Sequence, residues 1–404
     1  MYKFQVKKIP IKIAVILCLL PSVSYAVDNT VKLGGALDFQ STYYRNDGAK
    51  TQKILSQNKR QFGFYSSVNA FLDYKLETEN GLKYGTKIGI ETTTKNDRSA
   101  PMAIYTENDL GRVEVGSDKS AGKKMKIVGY KASCATGNGW DARVKTSPDG
   151  DLLAYITNFC SFLDSKMRTS GKIDYSRKIT YFTPKFSFGA NNLQFGASYI
   201  PDSSNMGHSG ITDEQRHTPV GASKFKFVIK DGISYGAKHK VDVSDDLFVE
   251  TSVVNEVGKP IAFDKKTEKK SDIKFTKLNS YVVGSEVNYQ ETYSFSASYG
   301  NYNKSLTSPS VDKIGRTTYM YAVGGKYKFN DKKNAASINY FASDHKKSKL
   351  DAITLGFDYL PTSGVKSYLQ CTYYKTKGKY LDDNKLRFDG SEGILVYIGA
   401  KLNI

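Results

Sequence analysis

The chain is poor in several residue types that mark common fold and function classes. Its 404 residues hold one tryptophan, four cysteines, four histidines and ten prolines. No stretch reaches the ~18 consecutive apolar residues of a membrane-crossing helix, which excludes a helical membrane protein. The histidines, His208, His217, His239 and His345, show no metal-ligand spacing. Acids are also short, with 40 Asp+Glu against 59 Lys+Arg and a net charge of +19. Present in quantity are 29 Tyr, 21 Phe and 34 Gly. That many aromatic residues argue against disorder, and with so little proline they point to β structure.

Residues 1–26 read as a secretory signal. Lys3, Lys7, Lys8 and Lys12 form a basic end, Ile13 to Leu20 an apolar stretch, and Ser24-Tyr25-Ala26 a small-residue cleavage site. Removing those four lysines takes the net charge from +19 to +15 for residues 27–404. An exported chain meets an oxidising compartment. Three cysteines, Cys134, Cys160 and Cys371, then remain, so at most one internal pair forms. Cys134 and Cys160 share one irregular segment and are paired here; two free thiols are the other reading.

Period-2 alternation dominates the rest. Residues 31–44 put Val31, Leu33, Leu37, Phe39 and Tyr43 on one face and Lys32, Asp38, Gln40 and Thr42 on the other. Residues 62–74, 82–92, 317–329 and 353–359 repeat the pattern, and no helical period competes. Short turns alternate with longer polar segments: Glu79-Asn80-Gly81, Ser244-Asp245-Asp246 and Pro361 to Gly364 against 45–60, 118–170, 201–230, 258–276 and 376–391. An up-and-down barrel in an outer membrane has this signature. Such a sheet must close on itself, because lipid satisfies no strand edge. The expectation is an all-β, 16-stranded antiparallel transmembrane β-barrel with both ends on the periplasmic side. Tyrosines near strand ends fit the interfacial girdles, with Tyr43, Tyr299, Tyr302, Tyr319 and Tyr373 at the outer edge.

The segment 118–170 is the long interruption. It carries Cys134, Cys160, Trp140 and a run, Leu152, Leu153, Ile156, Phe159 and Leu163, spaced for a short amphipathic helix. So much apolar side chain predicts a loop folded into the barrel against its inner wall, narrowing the pore. An outward minidomain is the competing reading.

The run Glu107-Asn108-Asp109-Leu110-Gly111-Arg112-Val113-Glu114-Val115-Gly116-Ser117 resembles the strand–turn–strand before the constriction loop of Gram-negative porins, particularly the alphaproteobacterial type. Residues 172–184 (KIDYSRKITYFTP) resemble the strand leaving that loop. The resemblance covers essentially all of 27–404, as a single barrel domain. It implies a usually trimeric channel for passive diffusion of ions and small hydrophilic solutes, set in outer-membrane lipid, with no cofactor. The chain departs from the family in ending on Ile404 rather than Phe and in having a more basic third loop. The resemblance also implies loop carboxylates facing basic wall residues across the constriction. The candidates are Asp141, Asp149, Asp151 and Asp164 on the loop and Lys87 and Arg177 on the wall, with Glu91 offsetting charge. Lys32, Lys83, Lys238, Lys240, Lys326, Lys328, Lys366 and Lys401 lie on polar rows near the periplasmic ends and predict a mild anion preference.

Catalytic signals are weak. Gly232-Ile233-Ser234-Tyr235-Gly236 matches G-x-S-x-G but runs on as a strand instead of turning into a helix. Gly137 to Ala142 matches a loose dinucleotide pattern without a βαβ unit. The reading is therefore a non-enzymatic channel, and the signal argues against a nucleic-acid partner despite the charge. The alternative is a barrel that acts as a surface adhesin or receptor through its long outer loops.

Overall fold

The computed structural model describes residues 26–48, 62–93, 96–98, 101–135, 165–167, 173–203, 225–264, 267, 269–308, 318–345, 348–382 and 385–403. Residues 1–25 of the expected signal segment lie outside them, and Ala26, its last residue, begins the first strand. The described chain forms a closed 16-strand antiparallel barrel. The strands are β1 (Ala26–Gly48), β2 (Phe62–Thr78), β3 (Lys83–Thr93), β4 in two pieces (Asn96–Arg98 and Met102–Asn108) and β5 (Gly111–Ser117). After the third loop come β6 in two pieces (Arg177–Phe182 and Phe186–Phe188), β7 (Asn191–Asp202), β8 (Phe225–Ser244), β9 (Leu247–Asp264) and β10 (Leu278–Tyr289). The last six are β11 (Tyr293–Asn303), β12 (Thr318–Phe329), β13 (Asn334–His345), β14 (Ser348–Thr362), β15 (Val365–Asp382) and β16 (Lys385–Asn403). Neighbours in sequence pair, and β1 closes the sheet on β16 from Ala36↔Asn403 to Gly48↔Ser391.

Alternation decides which face meets lipid. Leu33, Phe64, Ile90, Ile104, Ile338, Leu355 and Ile398 are exposed on the outer wall, where acyl chains replace water. Tyr289, Tyr293, Tyr327 and Phe329 form a chain of neighbouring rings at the turn end, with centroids 6.3, 5.0 and 5.6 Å apart. Tyr281–Tyr299 and Tyr321–Tyr340 mark the loop end. Tyr302 departs from the expected outer girdle: it falls on the inward parity of β11 and is buried in the core.

The polar segments expected as long connectors are partly strand. β15 and β16 stay paired up to Asp382↔Lys385, leaving two residues between them instead of a loop over 376–391. β13 and β14 likewise pair to His345↔Ser348. Loss of hydrophobicity marks where a hairpin leaves the lipid, not where its hydrogen-bond ladder ends. Beyond the girdle, Ile200, Phe227, Ile229, Ala262, Leu278 and Leu306 form a second apolar cluster, covered by Ile273 and Phe275.

Candidate functional site: the loop-lined lumen

The third loop enters the barrel directly after β5. Residues 118–135 run along the inner wall through a five-residue helix, α1 (Ala121–Met125), capped by Ser120, and a 3-10 turn, Gly129–Lys131. A loop crossing a sheet face leaves its backbone amides unpaired unless side chains answer them. Here the wall answers them strand by strand. The amides of Ala121, Ile127 and Gly129 donate to the hydroxyls of Ser198, Ser252 and Ser298 at 2.7, 2.8 and 2.7 Å. Those of Ala132 and Cys134 donate to Ser296 and Ser337 at 3.1 and 2.8 Å, and that of Ala135 to the Asp358 carboxylate at 2.6 Å. Ser120 meets Ser234 at 3.0 Å.

Between the serines the wall carries glycine. Gly284 stands opposite both Ser252 and Ser298 in the ladder, and Gly324 stands opposite Ser296. A Cβ on Gly284 would lie 2.1 Å from the Ile127 carbonyl oxygen, and one on Gly129 would lie 2.0 Å from that of Ala322. The loop therefore rests on the wall itself, held by hydroxyls on one strand and admitted by the missing side chain on the next. Ala121, Met125 and Ile127 are buried beneath it. This track bears out a loop folded inward over residues 118–135.

Charge reinforces the track. Lys124 on the loop pairs with the buried Glu114 of β5 and lies 2.8 Å from Asp118. Lys131 pairs with Glu286 of β10 and lies 3.1 Å from Glu250 of β9. Glu114 also accepts from Arg112 Nε at 2.8 Å, and the Arg112 guanidinium stacks 3.7 Å over the Tyr105 ring. Lys124 and Lys131 are on the loop and their partners Glu114, Glu250 and Glu286 are on the wall, while Asp118 is a carboxylate of the loop itself. Burial pushes the Asp118 carboxyl up, but Lys124 outweighs it and holds the group below its ordinary value. Burial pushes Lys131 down, but Glu286 and Glu250 outweigh it and raise it. Lys119 is lowered by burial and then by the charge of Lys123.

Of the residues expected at the constriction, Lys87 lies on the inward row of β3, close enough for its charge to act on Asp118. Arg177 does not face the lumen. It is exposed in phase with Ile179 and Tyr181 on the outer row of β6, and Lys178 takes the inward place. The Lys178 ammonium bonds the Asp118 carbonyl and, at 2.7 Å, that of Ser176. Glu91 pairs in register with Asn69 and Arg98, and its side chain lies outside the described residues. Asp141, Asp149, Asp151 and Asp164 also lie outside them. Cys134 carries a free thiol, raised by burial and then by Asp358. Its expected partner Cys160 lies outside the described residues. Sequence reading missed the wall serines, Glu250 and Glu286. Their one visible signal was a run of small polar residues at inward positions, as in Ser294-Phe295-Ser296-Ala297-Ser298.

On β1 and β2 exposed residues occur on both faces, Leu33 and Phe64 outside and Lys32, Asn69 and Phe71 inside, whereas the inward Gln40, Ser67 and, on β3, Gly89 are buried. On β12–β16 the inward Phe341, Tyr374, Leu395 and Tyr397 are buried. Among the described residues, the inner wall is thus covered along β12–β16 and keeps exposed side chains on β1 and β2.

A closed transmembrane-type barrel with an internal loop defines an outer-membrane channel protein. The chain belongs to the Gram-negative porin family, whose pattern it matches over residues 14–379. It is 28% identical over 415 residues to an uncharacterized protein of Rickettsia bellii, and 27% identical over 417 residues to one of Rickettsia conorii. Each alignment covers 93% of both chains. Among solved structures it resembles a triple mutant of the Rhodopseudomonas blastica porin (TM-score 0.51, 10% identity). It also resembles an anion-selective porin from Comamonas acidovorans (TM-score 0.52, 15% identity). Both likenesses cover 93% of this chain and 100% of the other, and at this identity they show the fold alone.

Proposed function

We propose that this porin passes ions and small hydrophilic solutes by passive diffusion, with a mild preference for anions, as a homotrimer exported behind a cleaved signal at residues 1–26. The observation that carries the reading is the wall away from the clamped segment: residues 118–135 are held by β7 to β14, while Lys32, Asn69 and Phe71 on the inner rows of β1 and β2 stay exposed. Family membership supports diffusion rather than chemistry. The anion preference is supported by Lys32, Lys326, Lys328 and Lys401, which fall on inward rows and make no ion pair among the described residues. It is kept mild by pairs that neutralise others: Lys238–Glu250 at 3.0 Å, Lys240–Asp242 at 2.6 Å and Lys366–Asp358 at 3.3 Å. The trimer rests on family likeness only. Single-channel recording of the refolded barrel across a KCl gradient tests this. Conductance steps with a reversal potential towards the chloride side support it, and steps with cation selectivity remove the anion preference.

A second reading, a barrel that binds partners through its outer surface, draws on the apolar cluster beyond the girdle. A folded, heat-modifiable barrel without any conductance would favour it.

A further inference from the structure

Phe71 is placed unlike other inward phenylalanines of the barrel. Phe182 and Phe341 also face inward and are buried, whereas Phe71 keeps 43% of its surface exposed. Covering a phenyl ring contributes roughly 1.5–3 kcal/mol, so a ring left open to a water-filled lumen is an unspent contact surface. The wall is shaped around it. Phe71 stands opposite Gly34 on β1 and Gly89 on β3. Its ring leans across Gly34 so closely that a Cβ there would lie 2.5 Å from Cζ. The ring is thereby laid along the wall, with no side chain of either flanking residue standing between it and the lumen.

Charge sits one inward position towards the turn end. Asp73 follows Phe71 on the inward row, with Lys32 opposite it on one side and Lys87 on the other. Neither lysine's side chain makes a hydrogen bond or ion pair among the described residues. The three groups together carry one positive charge. We infer that Phe71, Lys32 and Lys87 form a subsite on the inner wall of β1–β3 for small organic anions with a flat apolar body, such as aromatic monocarboxylates. The ring takes the apolar face, and an ammonium group takes the carboxylate within the same wall patch. The site would slow such solutes relative to simple ions and concentrate them at the wall. It rests on the diffusion reading for its role, but its binding is measurable without it.

The test is saturation-transfer NMR on the folded barrel in detergent micelles, with benzoate as the probe and benzamide and acetate as controls. Wild type should bind benzoate more tightly than either control. Phe71→Ala should weaken benzoate about fivefold to tenfold, the loss expected for an aromatic contact of this kind, while Phe71→Trp keeps it. Lys87→Gln combined with Lys32→Gln should remove the preference of benzoate over benzamide. Heat-modifiable migration on gels confirms that each variant is folded, and Phe71→Trp serves if the alanine variant is not. Equal binding of benzoate and benzamide to wild type, or binding unchanged in Phe71→Ala, overturns the site. KCl conductance of the same samples reports separately: channels without benzoate binding remove the subsite alone, and benzoate binding without channels keeps the subsite and removes the diffusion role.

Discussion

Replacing Gly129 with valine gives the most direct measure of how firmly the loop is held. A Cβ at this position would sit 2.0 Å from the Ala322 carbonyl oxygen, which is strand backbone and cannot move aside. The loop must retreat by about 1 Å to reach the shortest contact that real Cβ atoms show. That retreat stretches the Gly129 amide bond to Ser298, 2.7 Å in the native barrel, and the bond from Ser296 to the Gly129 carbonyl. The neighbouring Ala132 amide bond to Ser296, already 3.1 Å, goes with them. At about 1 kcal/mol for each bond, the loop loses about 2–3 kcal/mol of docking. Opening of the loop then becomes roughly 30- to 150-fold more frequent, at tenfold per 1.4 kcal/mol. Cys134 reports the opening, because it is buried against the wall five residues on. In a Cys160→Ser, Cys371→Ser background, maleimide labelling of Cys134 should accelerate by that factor, and channel conductance should rise. Gly325→Val is the control. Nothing lies within 4 Å of a Cβ there, so labelling should not change. An unchanged labelling rate in a folded Gly129→Val barrel would refute the account of the loop as clamped by close backbone approach.

The ion pairs give the loop a pH window. The Asp118 carboxyl is held below its ordinary 3.8, so its contribution is present above that value and is lost as pH falls through the lower folded value. Lys131 is raised above its ordinary 10.5, so its contribution is complete below that pH and is lost as pH rises through the higher folded value. Opening of the loop, read as conductance between pH 2 and 12, should therefore increase at both extremes and stay flat between about pH 5 and 10. Lys131→Met should destabilise docking more than Lys124→Met, because losing Lys124 leaves Glu114 still paired to Arg112 Nε at 2.8 Å, whereas losing Lys131 leaves the buried Glu286 without its ion pair while Glu250 keeps Lys238. Labelling of Cys134 in each variant ranks the two, and an equal effect would show that the pairs are peripheral. On the lipid face, Leu355 is 54% exposed between Ile338 and Cys371 in the ladder. Leu355→Arg should cost about 2–4 kcal/mol near the midplane and lower the temperature of the gel-mobility transition. An unchanged transition would place Leu355 away from the hydrocarbon.

The sequence alone was enough for the barrel. Residues 31–44 and 353–359 alternate with period 2, and a one-residue slip would turn every apolar side chain from lipid into water. That penalty is written locally, so face, strand order and closure can be read without coordinates. The same local logic marks 118–170 as a loop carrying too much apolar surface to stay outside. What the sequence could not supply is which distant residues meet. Ser252, Gly284 and Ser298 become one track for the loop only because three strands stand in register. Glu250 and Glu286 become partners of Lys131 only because the loop crosses their strands at that level. The family resemblance implied carboxylates on the loop and bases on the wall; its four loop aspartates lie outside the described residues, and within 118–135 Lys124 and Lys131 meet wall carboxylates. Arg177 and Lys178 are equivalent in composition, and the parity of a short strand pinned against β5 sends one to lipid and the other to the lumen. Alternation along one strand is a property of the chain, whereas the charge and shape of a lumen belong to many strands at once and are decided only when the sheet closes.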